Sequence, residues 1–259
     1  MTAEKQEILA KLRTQLLEVQ GFRPSPSATA QCFGLGEIES CFPNSTFPTG
    51  TIHEFIAEHP EDAAATDGFI SGLLHKLMEN GASTLWISRN RKLFPPSMER
   101  FGTDAQQVVF IDVPYEKQIL WTMEEALKTE GLACVIAEIP DIDFAQSRRL
   151  QLATEKSHVT GFVFRKAPKR ALSATACTVR WKISPEPTEM QDNIPGVGSP
   201  RWEVTLIKVR NGHTGTFHIE WSENGFTQIQ SPALAQAPEK ESEKQHTYHR
   251  ILAEERGTA

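Results

Sequence analysis

The sequence has few cysteines and no long apolar segment. Its four cysteines, among 259 residues, are scattered without a CxxC pair and without histidine at metal-ligand spacing. This pattern is typical of reduced thiols in the cytoplasm. No window approaches the roughly 18 apolar residues of a membrane span. The N-terminal MTAEKQEILAKLR is charged and lacks the apolar core of a signal peptide. We therefore expect a cytoplasmic protein that makes no membrane contact.

An excess of positive charge is also missing. The chain has 27 basic and 33 acidic residues, for a formal net charge of −6. Non-specific nucleic-acid binding depends on clustered lysine and arginine, which release counterions from the phosphates. The overall balance argues against such binding but leaves room for a local basic patch. With 39% hydrophobic and 23% charged residues, the composition is that of an ordinary folded globular protein.

The sequence lacks the signatures of common catalytic and metal sites. It has no GxSxG elbow and no HExxH helix. The pairs Gly34-Leu-Gly36 and Gly196-Val-Gly198 are too short for a dinucleotide-binding fingerprint, and we interpret them as turns. We therefore predict no catalytic residue, no metal and no cofactor.

Both ends of the chain differ from its middle. Helical spacing over residues 4–19 places Ile8, Leu9, Leu12 and Leu16 on one face. This helix either packs on the core of its own chain or docks on a partner. A Pro/Ser linker completes segment 1–30, and residues 31–229 form the predicted core domain. The polar segment 230–259 cannot bury enough apolar area to order itself, so we predict a disordered tail.

Strand and helix patterns alternate within the core. Continuous apolar strands between helices are typical of a mainly parallel sheet covered on both faces, the α/β class. Alternating strands joined by short turns then predict an antiparallel C-terminal extension. The predicted strands are 51–56, 83–88, 107–113, 132–139, 159–164, 177–184, 201–211 and 216–221. The predicted helices are 63–79, 116–130 and 143–157, the last with a capping box from Asp143 to Gln146.

The most informative segment joins the first core strand to the first long helix. In parallel α/β proteins, this junction is where a Gly-rich loop with a lysine cradles nucleotide phosphates. Here the corresponding segment has neither the glycines nor the lysine, and instead contains Glu58, Pro60, Glu61 and Asp62. Two unit charges 4 Å apart interact by about 4 kcal/mol at an effective dielectric of 20, so these carboxylates would repel a triphosphate. Proline and acidic residues are also favoured in the first turn of a helix. We therefore interpret them as capping residues.

The junction also carries a resemblance to a known family. FPTGTIHEFIAE resembles the strand before the phosphate loop of RecA-like recombinases, and LACVIAEI resembles their second acidic strand. The segments SRRLQLATEKSHVTGFVFR, SATACTVRWKI and PRWEVTLIKVRNGHTGTFHIEW resemble the helix and strands that follow. Over residues 33–226 the chain most resembles the ImuA family, RecA-like accessory factors of the bacterial mutasome, which is related to SulA-like division inhibitors.

This resemblance implies a RecA-like core with a degenerate nucleotide site. Glu138 matches the acidic strand-end position where ATPases hold Mg²⁺ through water. Without a phosphate-binding lysine, we interpret Glu138 as an ion-pair or capping partner, with Arg148 or Arg149 as candidates. The first DNA-binding loop of the recombinases is reduced to the acidic segment 140–143. Candidate nucleic-acid or interface contacts are confined to the second loop and to two basic residues in the closing strands. These residues are Arg165, Lys166, Lys169, Arg170, Lys208 and Arg210.

Three functions compete at this point. The resemblance implies a non-catalytic adaptor in SOS-induced translesion synthesis, acting with an ImuB-like polymerase relative, with RecA or with its own copies. Its contact with DNA would be weak or indirect. The alternatives are an active RecA-like ATPase with a divergent phosphate loop and a SulA-like inhibitor of cell division.

Overall fold

A computed structural model describes residue 12 and residues 32–168, 173–188, 198–222 and 225–229. The predicted N-terminal helix and linker therefore lie outside the described residues, except for Leu12, which is exposed. The predicted tail 230–259 lies outside them entirely. None of the helices in the described part of the chain has the length and apolar character needed to span a membrane.

One nine-stranded sheet organises the described residues. The strands are β1 Ile52–Ala57, β2 Thr84–Ser88, β3 Val108–Asp112, β4 Cys134–Glu138, β5 Thr160–Lys166, β6 Val179–Glu186, β7 Arg201–Val209, β8 Gly215–Ser222 and β9 Gly225–Ile229. The helices are α1 Glu37–Ser40, α2 Pro60–Leu77, α3 Glu116–Leu127 and α4 Phe144–Ser157, with 3-10 segments at Pro43–Ser45, Pro95–Phe101 and Ala105–Gln107.

The strands lie in the order β3-β2-β4-β5-β1-β6-β7-β8-β9. The first six of these are parallel to their neighbours, and β7, β8 and β9 continue the sheet antiparallel. The predicted α/β class with an antiparallel extension is therefore confirmed. Strand β9, helix α1 and the 3-10 segments were not predicted.

Alternate residues of the buried strands supply two cores, one on each face of the sheet. Trp86 of β2 packs into the core that α2 covers with Phe69 and Leu73. Its neighbour Ile87 packs into the other core, with Met123 of α3 and Leu150 of α4. Burial of these strands on both faces is why they appear in the sequence as continuous apolar runs.

Helix α2 also packs closely on the extension at Gly72. A Cβ atom at this position would lie 2.6 Å from the Phe226 ring and 2.7 Å from the Trp221 ring. The glycine therefore permits an approach that a larger residue would block. This contact joins the parallel part of the sheet to its antiparallel extension through one helix.

Candidate functional site

The candidate site lies at the carboxyl edge of the parallel strands. Only Glu58 and His59 connect β1 to α2, which is too little backbone to wrap a phosphate chain. The buried Asp62 carboxylate accepts the backbone N–H of His59 at 3.3 Å. Glu58 is exposed and pairs with Lys182 at 2.6 Å, and this hydrogen bond lowers the pKa of Glu58. Protein carboxylates thus occupy the start of α2, where a phosphate-binding protein would present free N–H groups.

A cavity of about 510 Å³ opens beside this helix start. Its walls come from α2, α3 and the segments that follow β2, β4 and β5. Charges of both signs line it, including Arg89 and Lys92 after β2 and Glu116 at the start of α3. The cavity therefore sits at the edge where parallel α/β sheets place their ligands.

Lys166, at the end of β5, enters this cavity and bridges two carboxylates. Its Nζ lies 2.9 Å from Glu138 Oε1 and 3.2 Å from Asp67 Oδ1, and 4.5 Å from the centroid of the Phe164 ring. Trp86 Nε1 also donates to Glu138 Oε1, at 2.9 Å. A lysine is thus present at this cavity, but it comes from β5 rather than from the β1–α2 loop. Its ammonium group is already paired with two carboxylates.

The electrostatics of this cluster are set mainly by burial. Burial raises the pKa of Asp67 to about 6; Lys166 opposes the rise, and the negative charge of Glu138 adds to it. Asp67 was missed in the sequence because nothing in its spacing within α2 distinguishes it from a solvent-facing helical residue. Glu138 pairs with Lys166 rather than with Arg148 or Arg149, so the partner expected from sequence was wrong. Arg149 instead pairs with Glu124 of α3, at 2.5 Å.

Arg165 is buried in an internal ion-pair network, which corrects its assignment as a nucleic-acid contact. Its side chain is 1% exposed, and its two terminal nitrogens lie 3.0 Å from Glu54 and 2.9 Å from Asp141. Glu54, fully buried in β1, also pairs with Arg180 at 2.9 Å. A buried guanidinium held by two carboxylates cannot reach a DNA phosphate. The one acidic residue within the apolar run of β1 was the signal that could have revealed this network.

The other basic residues expected to contact nucleic acid or a partner fall into two groups. Lys208 donates to the carbonyl of Thr175 at 2.7 Å, and Arg210 donates to that of Ala176. Burial lowers the pKa of both Lys208 and Arg210. They anchor the segment before β6 to the end of β7. Lys169 and Arg170 lie outside the described residues, as do Ile8, Leu9 and Leu16 of the predicted partner-binding helix.

Comparison with known proteins identifies the family. No family model matches the sequence. Two proteins named ImuA, from Caulobacter vibrioides strains NA1000 / CB15N and ATCC 19089 / CIP 103742 / CB 15, are each 33% identical over 204 residues. The match spans 74% of this chain and 84% of each relative. The chain belongs to the ImuA family.

More distant likenesses place this ImuA-family chain among related folds. The cell division inhibitor SulA of Yersinia pestis (strain Pestoides F) is 26% identical over 117 residues, which is 45% of this chain and 68% of SulA. The crystal structure of the RadB recombinase matches 77% of this chain and 100% of its own, with a TM-score of 0.51 and 10% identity. The latter likeness shows the fold alone, and it confirms the RecA-like core predicted from sequence.

Proposed function

We propose that this ImuA-family chain is a non-catalytic RecA-like adaptor in SOS-induced, error-prone translesion DNA repair. It works through protein–protein contacts with an ImuB-like polymerase relative, with RecA or with a second copy of itself. Family membership supports the pathway. The observation that carries the non-catalytic part is the pairing of Lys166 with Asp67 and Glu138.

Charge at the cavity opposes nucleotide binding. A triphosphate there would have to draw Lys166 away from its ion pairs with Asp67 and Glu138. Both carboxylates would then have less positive charge beside them. Each like-charge contact at 4 Å would then cost about 4 kcal/mol at an effective dielectric of 20. The backbone N–H of His59 is also occupied, by Asp62. In this proposal the RecA-like fold is retained for its surfaces.

The parallel end of the sheet offers a surface for a partner. Among the strands that the structure describes, β3 is the outer one there, and its Val109 is 50% exposed. An unpaired strand edge can accept a further strand from another chain. We place the main partner contact along β3, together with the predicted N-terminal helix. Because Arg165 and Lys166 are engaged inside the protein, DNA contact is weak or indirect.

The ATPase alternative is favoured by one observation, the cavity itself with Arg89 and Lys92 in its wall. Calorimetric titration of the full chain with MgATP separates the two readings. The adaptor proposal expects only the heat of dilution, up to millimolar nucleotide, for both the wild type and Lys166→Met. Micromolar binding by the wild type that is lost in Lys166→Met would establish a nucleotide site and overturn the proposal.

The adaptor role is tested by purifying the tagged chain from DNA-damaged cells. We expect an ImuB-like protein or RecA to co-purify, with at least several-fold lower recovery for Val109→Asp than for the wild type. Leu152→Asp is the matched control, because Leu152 is exposed to a similar degree but lies on α4. Equal recovery with all three chains would exclude the β3 surface.

The SulA-like alternative rests on the 26% identity to SulA and makes a different prediction. Filamentation of cells that overproduce the chain without any polymerase partner would support division inhibition instead. Recovery of no repair protein from damaged cells would contradict the adaptor role.

A further inference from the structure

A cluster of polar side chains lies on the antiparallel extension, away from the cavity. Glu186 of β6, Glu203 of β7 and His218 of β8 each offer a donor atom, and these three atoms lie within 4.8 Å of one another. Glu203 stands directly opposite His218 in the β7–β8 register. The three side chains occupy the polar face of three adjacent strands, and all are partly buried.

Glu186 has one satisfied and one unsatisfied oxygen. Its Oε1 lies 2.6 Å from Nδ1 of His218. Its Oε2 is buried and has no hydrogen-bond partner among the described residues. A buried polar atom without a partner carries a desolvation cost, and coordination of a cation by Oε2 would remove it.

We propose that Glu186, Glu203 and His218 form a binding site for one divalent transition-metal ion of the zinc class. Imidazole nitrogen together with carboxylate oxygens suits zinc, whereas magnesium prefers an all-oxygen shell. Donors bound about 2.0–2.2 Å from one zinc ion lie roughly 3–4 Å apart. Small side-chain rotations would therefore bring the three donors into place, and the ion would replace the hydrogen bond between Glu186 and His218. The ion would cross-link β6, β7 and β8, with water in its remaining coordination positions.

Neighbouring cations leave this site available. The hydrogen bond from the ammonium group of Lys182 to Glu58, at 2.6 Å, is the main cause of a raised pKa of Lys182, and the nearby charge of Glu203 adds to the rise. Arg201 pairs with Glu220 at 2.5 Å on the same face. These pairs occupy the nearby positive charges, so the carboxylates of the cluster can serve a metal ion.

The test is titration of the purified full chain with zinc chloride, read by calorimetry and by metal analysis after dialysis. We expect the wild type to bind one more zinc ion per chain than His218→Asn or Glu203→Gln, since cysteines and other histidines bind equally in all. Glu155→Gln is the matched control, because Glu155 is an exposed glutamate of α4 outside the cluster, and this variant should keep the wild-type stoichiometry. Zinc at about 100 times its Kd should raise the Tm of the wild type by about 5–10 °C, and that of His218→Asn by less.

Two results would overturn the proposal. One is the same zinc stoichiometry in the wild type and in both cluster variants. The other is a loss of zinc from Glu155→Gln equal to that from Glu203→Gln. If His218→Asn does not fold, as judged by circular dichroism, the near-isosteric Glu203→Gln decides alone.

Discussion

At the scale of single residues, the two basic side chains at the end of β5 form ion pairs inside the protein. Lys166 pairs with Asp67 and Glu138, and Arg165 pairs with Glu54 and Asp141. Adjacent residues of one strand point to opposite faces of the sheet, so two neighbouring cations serve separate networks. In the sequence, Arg165 and Lys166 are two of the four basic residues that we interpreted as a candidate DNA-binding loop.

The raised pKa of Asp67 makes a testable contribution to stability. The folded pKa is about 6, against 3.8 for an ordinary aspartate. The folded chain holds this proton more tightly, so the contribution is present below about pH 3.8 and is lost as the pH rises through about 6. We expect the free energy of unfolding of the wild type, relative to Asp67→Asn, to be about 1–3 kcal/mol greater at pH 4 than at pH 7. Urea unfolding at both pH values measures this difference, and a constant difference would contradict it.

His53 provides the control because its contribution has the opposite sign. Its ring Nε2 donates to the carbonyl of Pro48 at 2.7 Å, and its Nδ1 accepts from Trp181 at 3.1 Å. Burial lowers the pKa of His53 from 6.5 to about 4. The contribution of the neutral His53 ring to stability is present above about pH 6.5 and is lost as the pH falls through about 4. The advantage of the wild type over His53→Gln should therefore be smaller at pH 4 than at pH 7.

At the scale of elements, a carboxylate of the protein itself caps the start of α2. The helix follows β1 after two residues, and Asp62 satisfies the backbone N–H of His59. Glu61 and Asp62 both lie in the first turn, where carboxylates interact favourably with the helix dipole. The features on which we base the proposed exclusion of phosphate thus also stabilise the helix.

Replacing Glu61 and Asp62 together with alanine should lower the free energy of unfolding by about 1–2 kcal/mol, through loss of the capping and dipole interactions. Most of the loss should come from Asp62→Ala, because Asp62 is buried and hydrogen-bonded whereas Glu61 is exposed. Urea unfolding of the two single variants and the double variant checks this. An unchanged stability in the double variant would show that these carboxylates do not cap the helix.

Elements with a strong local signal were the ones predicted well. The capping box of α4 is present as expected, with Asp143 and Gln146 each bonded to the other's backbone N–H. Strand β9 was missed because only Phe226 in its sequence is buried, which leaves no apolar pattern to recognise. The ion-pair partners could not be predicted, because a contact such as Glu54 with Arg180 joins residues 126 positions apart.

At the scale of the whole molecule, the continuous apolar strands predicted the α/β class but not the order of the strands. The central position of β1, between β5 and β6, depends on how the crossovers pack and is not encoded in any local pattern. The same is true of the cavity, whose walls come from five separate segments. The sequence therefore indicated the acidic first turn of α2, but not that Lys166 of β5 lies in the same cavity.

The central position of β1 also affects how the chain is made. Both neighbours of β1 are synthesised more than a hundred residues after it, as the separations of 111 and 126 residues from Glu54 to Arg165 and Arg180 show. At ~5–20 residues per second, a ribosome needs on the order of ten seconds to supply them. During that time the apolar residues of β1 and α2 have no sheet to cover them, whereas β6 to β9 can pair locally as they emerge. We therefore expect the growing N-terminal half of the core to be the stage most prone to aggregation and most dependent on chaperones.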